Sequence, residues 1–305
     1  MDSDLERVLA ALPDVPPWHA MSVEGARQLE DELFSTDADH GCTVREFGID
    51  GPGGDLSVRV YRPEERPLPT LVFYHGGGWT LGTLDSVEGV CTELAERAGC
   101  LVLSVDYRLA PEHPFPAAVD DAWGALEWAR EHAESLGGDG TVAVGGTSSG
   151  GGLAAATAFR AREESVPLAA QLLLYPMLDC DLERESYREH AEAPLLSRAD
   201  VGWFWEQYLA SEADRYNPLA APLRAADLGG VAPAVVATAG HDPLASEGRA
   251  YAERLTAAGV PVGHHHAQSL CHGFCSLTGR VPAAAAAFES IADDLEERLS
   301  SGPTG

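Results

Sequence analysis

Gly146-Thr147-Ser148-Ser149-Gly150 is the stretch on which the fold turns. The apolar run Thr141-Val142-Ala143-Val144 precedes it, and Gly151-Gly152-Leu153-Ala154-Ala155-Ala156 follows. An apolar run, a turn of small residues and a run of helix formers predict strand, sharp turn and helix. In a G-x-S-x-G turn of this kind, the small residues let the chain double back and leave the central hydroxyl standing clear. The helix that starts there aims its first N–H groups toward that hydroxyl. Ser148 is therefore the candidate nucleophile.

Three other segments repeat the pattern of a polar group just beyond a strand. His75-Gly76-Gly77-Gly78-Trp79 follows Thr70-Leu71-Val72-Phe73-Tyr74. Three glycines in a row leave backbone N–H groups uncovered, as stabilisation of an oxyanion in acyl transfer requires. Asp242-Pro243-Leu244 follows Ala234-Val235-Val236-Ala237-Thr238-Ala239, and His272-Gly273-Phe274 follows Val262-Gly263-His264-His265-His266. The carboxyl ends of parallel strands are where sites form in open α/β sheets.

Working outward, predicted strands at about 70–75, 101–107, 141–146, 169–175, 234–239 and 262–267 alternate with helices at about 84–98, 116–134, 149–163, 244–259 and 282–299. Such alternation predicts an α/β fold, a mostly parallel central sheet flanked by helices. A further strand signal begins near Arg45, and Leu56-Ser57-Val58-Arg59-Val60-Tyr61 alternates with period two. Residues 1–45 read as helical, with a proline-rich break at Leu12-Pro13-Asp14-Val15-Pro16-Pro17. Residues 180–226 interrupt the rhythm and carry the aromatic cluster Trp203-Phe204-Trp205, on a helix capped by Ser197 with Asp200 in its first turn. Such a helix can roof a site at the strand ends. The division is thus 1–45 as the N-terminal helical part of a cap, 46–179 with 227–305 as the catalytic unit, and 180–226 as the cap insertion. The tail from Ser300 to Gly305 is expected to be disordered.

The 305 residues carry 48 acidic and 20 basic side chains, a net charge of −28, and all the basic ones are arginine. A surplus of that size repels itself in dilute buffer and excludes nucleic acid and anionic membranes as partners. At 1 M salt the Debye length shrinks to about 3 Å and the repulsion fades. The balance resembles that of proteins from halophilic microbes that keep molar salt in the cytoplasm. No run of about 18 apolar residues is present to insert into a membrane, and the acidic start Met1-Asp2-Ser3-Asp4 lacks the core of a secretory signal. A cytoplasmic location is expected. The six cysteines form no C-x-x-C pair and read as reduced and buried.

The elbow at 146–150, the glycine run at 75–78, Tyr107-Arg108-Leu109-Ala110-Pro111-Glu112-His113-Pro114-Phe115-Pro116, Asp242-Pro243-Leu244 and His272-Gly273-Phe274 occur in order. Together they resemble the hormone-sensitive-lipase branch of the α/β-hydrolases, the microbial family IV esterases, over about residues 45–299. The spacing fits as well, with 94 positions from Ser148 to Asp242 and 30 from there to His272. The resemblance implies an α/β-hydrolase fold with a helical cap and a serine carboxylesterase. It would act on short- to medium-chain acyl esters, with no metal or organic cofactor. Ser148 would attack, His272 would move the proton, and Asp242 would orient the imidazole. Two of Gly76, Gly77 and Gly78, with Ser149, would form the oxyanion hole. Trp79, Trp203, Phe204 and Phe274 would line the substrate pocket. Ser149 stands where this branch usually has alanine, and Gly152 where asparagine is frequent; neither touches the backbone donor. Monomers and homodimers both occur in the family.

The same machinery serves amide, carbamate or lactone bonds. A non-catalytic receptor for a small molecule is a further alternative, disfavoured because all three triad members are present. Glu247 reads as a helix-start residue before a partner for His272, and His264, His265 and His266 match no common zinc spacing. Arg108 is expected in an ion pair, and Asp120-Asp121 and Asp293-Asp294 on solvated helix faces.

Overall fold

The computed structural model describes residues 1–13, 15–34 and 41–302. Asp14 of the proline-rich break, residues 35–40 and residues 303–305 of the tail lie outside the described residues. A hairpin opens the sheet, β1 (Thr43–Gly51) against β2 (Gly54–Arg62), with Thr43 opposite Arg62 and Gly51 opposite Gly54. There follow β3 (Leu68–Tyr74), α3 (Glu88–Arg97), β4 (Leu101–Val105), α4 (Ala117–Leu136), β5 (Gly138–Thr147), α5 (Ser149–Glu163) and β6 (Gln171–Leu174). After an excursion come β7 (Ala234–His241), α8 (Ala245–Ala257), β8 (Val262–Cys271) and α9 (Pro282–Ser301). The eight strands lie in the order β1-β2-β4-β3-β5-β6-β7-β8, parallel from β4 to β8 and antiparallel at β1 and β2.

The centre of the sheet is covered on both faces, which is why its strands read as unbroken apolar runs. Every residue of β4 and β6 is buried. Side chains still alternate between the layers: Val72 and Tyr74 pack with Leu126, Leu153 and Leu255, while Leu71 and Phe73 pack with Leu94, Phe288 and Leu295. Helices α4, α5 and α8 therefore cover one face, and α3 and α9 the other. Each buried Leu or Phe contributes about 1.5–3 kcal/mol relative to exposure.

Two segments outside this frame carry helices without strands. The first holds α1 (Ser3–Ala10), a 3₁₀ turn at Trp18–Ala20 and α2 (Val23–Phe34). The excursion after β6 holds α6 (Glu185–Glu189) and α7 (Arg198–Tyr208). Ser197 caps α7 in a capping box with Asp200, whose side chain also accepts from the His19 backbone N–H at 3.0 Å and contacts His19 Nδ1 at 2.8 Å. The Trp18 indole N–H donates to the Leu195 carbonyl at 3.1 Å. These bonds join the two segments to each other over the carboxyl end of the sheet.

Several sequence expectations need correction. The helical reading of residues 1–45 overruns, because β1 begins at Thr43. The tail does not fray at Ser300, because α9 runs through Ser301, with Leu299 buried beneath it. Asp121 is not on a solvated face. It is 1 % exposed and takes the Arg108 guanidinium at 2.8 Å on both oxygens, together with the Arg108 backbone N–H at 3.0 Å. Asp294 is half-buried and pairs with His265 and Arg298. All six cysteines are unpaired, and only Cys42 is not fully buried. No helix among the described residues is long and apolar enough to cross a membrane.

Candidate active site

Ser148 stands between β5 and α5 with φ 53° and ψ −119°, a backbone conformation that L-residues rarely adopt. Its surroundings enforce it. The Ser148 N–H donates to Leu174 O at 2.8 Å, and its carbonyl accepts from Gly152 N–H at 3.1 Å and Met177 N–H at 2.9 Å. A Cβ at position 146 would collide with the carbonyl oxygens of Gly150 and Tyr74, and one at 150 with those of Tyr74 and His75. The elbow is thus wedged against the end of β3, and only glycine fits on either side of it.

The turn after β7 delivers Asp242, and the turn after β8 delivers His272. His272 Nε2 lies 3.0 Å from Ser148 Oγ, and His272 Nδ1 lies 2.9 Å from Asp242 Oδ2. The second Asp242 oxygen accepts the Leu244 N–H at 2.8 Å. A carboxylate can only accept, so it holds the imidazole proton on Nδ1 and leaves Nε2 open to the serine O–H. All three side chains are buried, Asp242 completely. The Tyr175 ring meets His272 edge-on at 4.9 Å. Such a chain can draw a proton from the hydroxyl while keeping the resulting imidazolium charge-balanced.

Facing Ser148 is the glycine turn. Gly77 and Gly78 have φ of +101° and +60°. A side chain at Gly77 would strike Leu81 O, and one at Gly78 the Phe204 ring. The Gly77 carbonyl accepts from Thr80 N–H at 3.1 Å and Leu81 N–H at 2.8 Å. Among the described residues, no acceptor takes the backbone N–H of Gly77, Gly78 or Ser149. His75 braces the turn from below. Its ring stacks on Tyr107 at 4.2 Å, its Nδ1–H donates to Gly76 O at 2.7 Å, and the Tyr107 hydroxyl donates to His75 O at 2.9 Å.

A cavity of about 120 Å³ opens onto Ser148, His272 and Gly76–Gly78. Its outer wall comes from the two helical segments: Trp18, Glu30 and Phe34 from one, Leu195, Leu196 and Phe204 from the other. Of the aromatics expected there, only Phe204 reaches it. Trp79 is buried elsewhere, stacked on Tyr208 at 4.0 Å. Trp203 packs beside Phe204 at its back, and Phe274 is fully buried behind Tyr175. Glu30, Phe34, Tyr175 and Leu195 were missed in the sequence, where nothing marks them: they come from three distant segments, α2, the end of β6 and the excursion after it, gathered only by the fold. Glu247 does not contact His272; fully buried, it accepts the Leu178 N–H at 2.9 Å. His264 and His266 each lie 2.9 Å from the Thr238 hydroxyl.

Burial holds His75 down at about 4 from an ordinary 6.5, the bond to Gly76 O pulling weakly the other way. The folded protein therefore keeps His75 neutral. The associated stability is full above pH 6.5 and drains away as pH falls toward 4, by about 3 kcal/mol in all. Urea unfolding of wild type and His75→Gln at pH 7 and pH 4 checks this: the wild type should lose about 3 kcal/mol more than the variant. Equal losses would contradict it.

Residues 71–276 match the family described as having the α/β hydrolase fold. The chain is 42 % identical to esterase LipI of Mycobacterium tuberculosis over 291 residues, 92 % of this chain and 91 % of the relative. It is 45 % identical to carboxylesterase NlhH of the same organism over 251 residues, 80 % of this chain and 78 % of the relative. The crystal structure of a thermostable esterase from Pseudomonas putida ECU1011 superposes with a TM-score of 0.93 at 34 % identity, covering 98 % of this chain and 97 % of that one. With the matched region spanning the strands and turns that carry Ser148, Asp242 and His272, the chain belongs to the α/β hydrolase family.

Proposed function

We propose that this protein is a serine carboxylesterase that cleaves short- to medium-chain acyl esters through an acyl-enzyme on Ser148. The ester-hydrolase class rests on the named relatives, esterases and a carboxylesterase that match 80–98 % of this chain. The mechanism rests on one observation above all, the buried line from Ser148 Oγ through His272 to Asp242, with links of 3.0 and 2.9 Å. In this account His272 Nε2 removes the serine proton as Oγ attacks the ester carbonyl. The tetrahedral oxyanion is met by two N–H groups of the Gly76–Gly78 turn and by that of Ser149. Collapse expels the alcohol, which takes the proton from His272, and water repeats the sequence to release the acid. Each oxyanion donor is worth about 2.7–4 kcal/mol of barrier lowering. Nothing in the sequence requires a metal or organic cofactor.

The helical parts of residues 1–45 and of 180–226 serve as the cap of the family IV branch, a role supported by their shared wall around the cavity and by the bonds from Trp18 and His19. The small cavity suits short acyl groups. If the protein dimerises, the open edge of β8 with α9 is the face that would pair.

Ser148→Ala should lower hydrolysis of p-nitrophenyl acetate by about 10⁴-fold or more and abolish labelling by a fluorophosphonate. Full activity in that variant would remove Ser148 from the mechanism.

A salt-rich cytoplasm is the proposed setting. With 48 acidic residues against 20 arginines and no lysine, the folded state should gain as salt screens the surface. Urea midpoints measured from 0.1 to 3 M KCl should climb throughout; a maximum in dilute buffer would refute the halophilic reading.

A further inference from the structure

Glu30 takes no part in the chemistry above, yet it sits in the wall of the cavity that holds Ser148. It comes from α2, and α2 is pinned. Arg27, three residues earlier, donates to Thr80 O at 2.9 Å and Ala110 O at 3.0 Å and forks onto Glu112 at 2.8 and 2.7 Å. Those bonds fasten the helix to the glycine turn, so the place of Glu30 is fixed.

The side chain is 7 % exposed, and its cavity neighbours Trp18, Phe34, Leu81 and Val87 are apolar. Among the described residues, no arginine or histidine pairs with it, and Oε2 has no hydrogen-bond partner. Ser86, a side-chain hydroxyl on the same wall, has one proton to share between Thr83 O at 3.0 Å and the Glu30 carboxyl, and it accepts from Thr83 N–H at 3.0 Å. A buried carboxyl with an idle oxygen is costly to the fold and wants a donor. Burial pushes it up to about 7, Asp31 adding to the rise while Ser86 and the Gly82 backbone oppose it.

We propose that Glu30 is a specificity-determining residue that accepts a hydrogen bond from a hydroxyl group on the substrate, making short hydroxy-substituted esters the preferred class. The assignment rests on Ser148 being the nucleophile. A hydroxyl fits better than an ammonium because it brings one proton to one idle acceptor. An ammonium would bring three protons and a full charge into about 120 Å³ whose wall beside Glu30 includes the apolar Trp18, Phe34, Leu81 and Val87. A site built to bond a substrate hydroxyl rejects the analogue that lacks it, since its own polar group is then left unpaired.

The test uses two pairs of esters that differ only in hydroxyl for methyl. Ethyl 3-hydroxybutanoate against ethyl 3-methylbutanoate probes the acyl side, and 2-hydroxyethyl butanoate against propyl butanoate the alcohol side. The kcat/KM ratio within each pair is measured for wild type, Glu30→Gln and Glu30→Leu in molar KCl, with p-nitrophenyl acetate as a common reference. Ratios taken within one protein cancel any loss of folded enzyme. Wild type should favour the hydroxyl member of at least one pair by about tenfold or more. Glu30→Leu should erase that preference, and Glu30→Gln, still an acceptor, should keep most of it. No hydroxyl preference in the wild type overturns the assignment whatever the variants do, and so does a Glu30→Leu ratio within twofold of wild type. Failure of the wild type to cleave p-nitrophenyl acetate would instead overturn the esterase reading on which it rests.

Discussion

The backbone at Ser148 is the constraint on which the site depends. A residue at φ 53°, ψ −119° holds about 1–3 kcal/mol of strain and keeps it only when its neighbours leave no alternative. Here the neighbours are carbonyl oxygens. Tyr74 and His75 press against Gly150, Leu174 takes the Ser148 N–H, and Met177 and Gly152 take its carbonyl. The turn that exposes the hydroxyl is therefore shut from three sides by the ends of β3 and β6 and the start of α5. Parallel strands bring the rest. Because β3, β5, β7 and β8 all point the same way, the glycine turn, Ser148, Asp242 and His272 leave the sheet at one rim.

Much of this was legible in the sequence because it is local. The turns need glycine for reasons of space and dihedral angle, and glycine shows in a sequence. Strands buried on both faces need near-continuous apolar runs, and 71–74, 101–103 and 172–174 show them. Ser197 and Asp200 announced the start of α7 through their capping box. What stayed hidden depends on distant contacts. Asp121 looks like any acid on an amphipathic helix until Arg108 arrives from the loop before it. Trp79 and Phe274 sit one or two residues from site groups, yet their side chains turn into the core. Adjacency along the chain fixes where a backbone goes, not which way a ring faces. Phe34, Leu195 and Glu30 reach the cavity only because two separate helical segments fold over the same rim.

Charge divides the protein in a similar way. The acidic surplus is a property of the surface and answers to salt. The buried ionisable groups answer to their neighbours instead. His75 is kept neutral between Tyr107 and Gly76 O, and Asp242 is satisfied by His272 and Leu244. Glu30 stands apart as a buried carboxyl with an unpartnered oxygen in the wall of the cavity that holds Ser148. Among the described residues, the unpartnered N–H groups of Gly77, Gly78 and Ser149 are donors, whereas the idle Glu30 oxygen is an acceptor, so the cavity offers both kinds of partner to what enters it.

The most direct measurement is a crystal structure of the protein inactivated by diethyl p-nitrophenyl phosphate, grown from molar KCl. Phosphorus bonded to Ser148 Oγ, with the phosphoryl oxygen about 2.7–3.1 Å from backbone nitrogens of the glycine turn and of Ser149, is the predicted result. Phosphorus on another residue, or a phosphoryl oxygen turned away from Gly76–Gly78, would contradict the account.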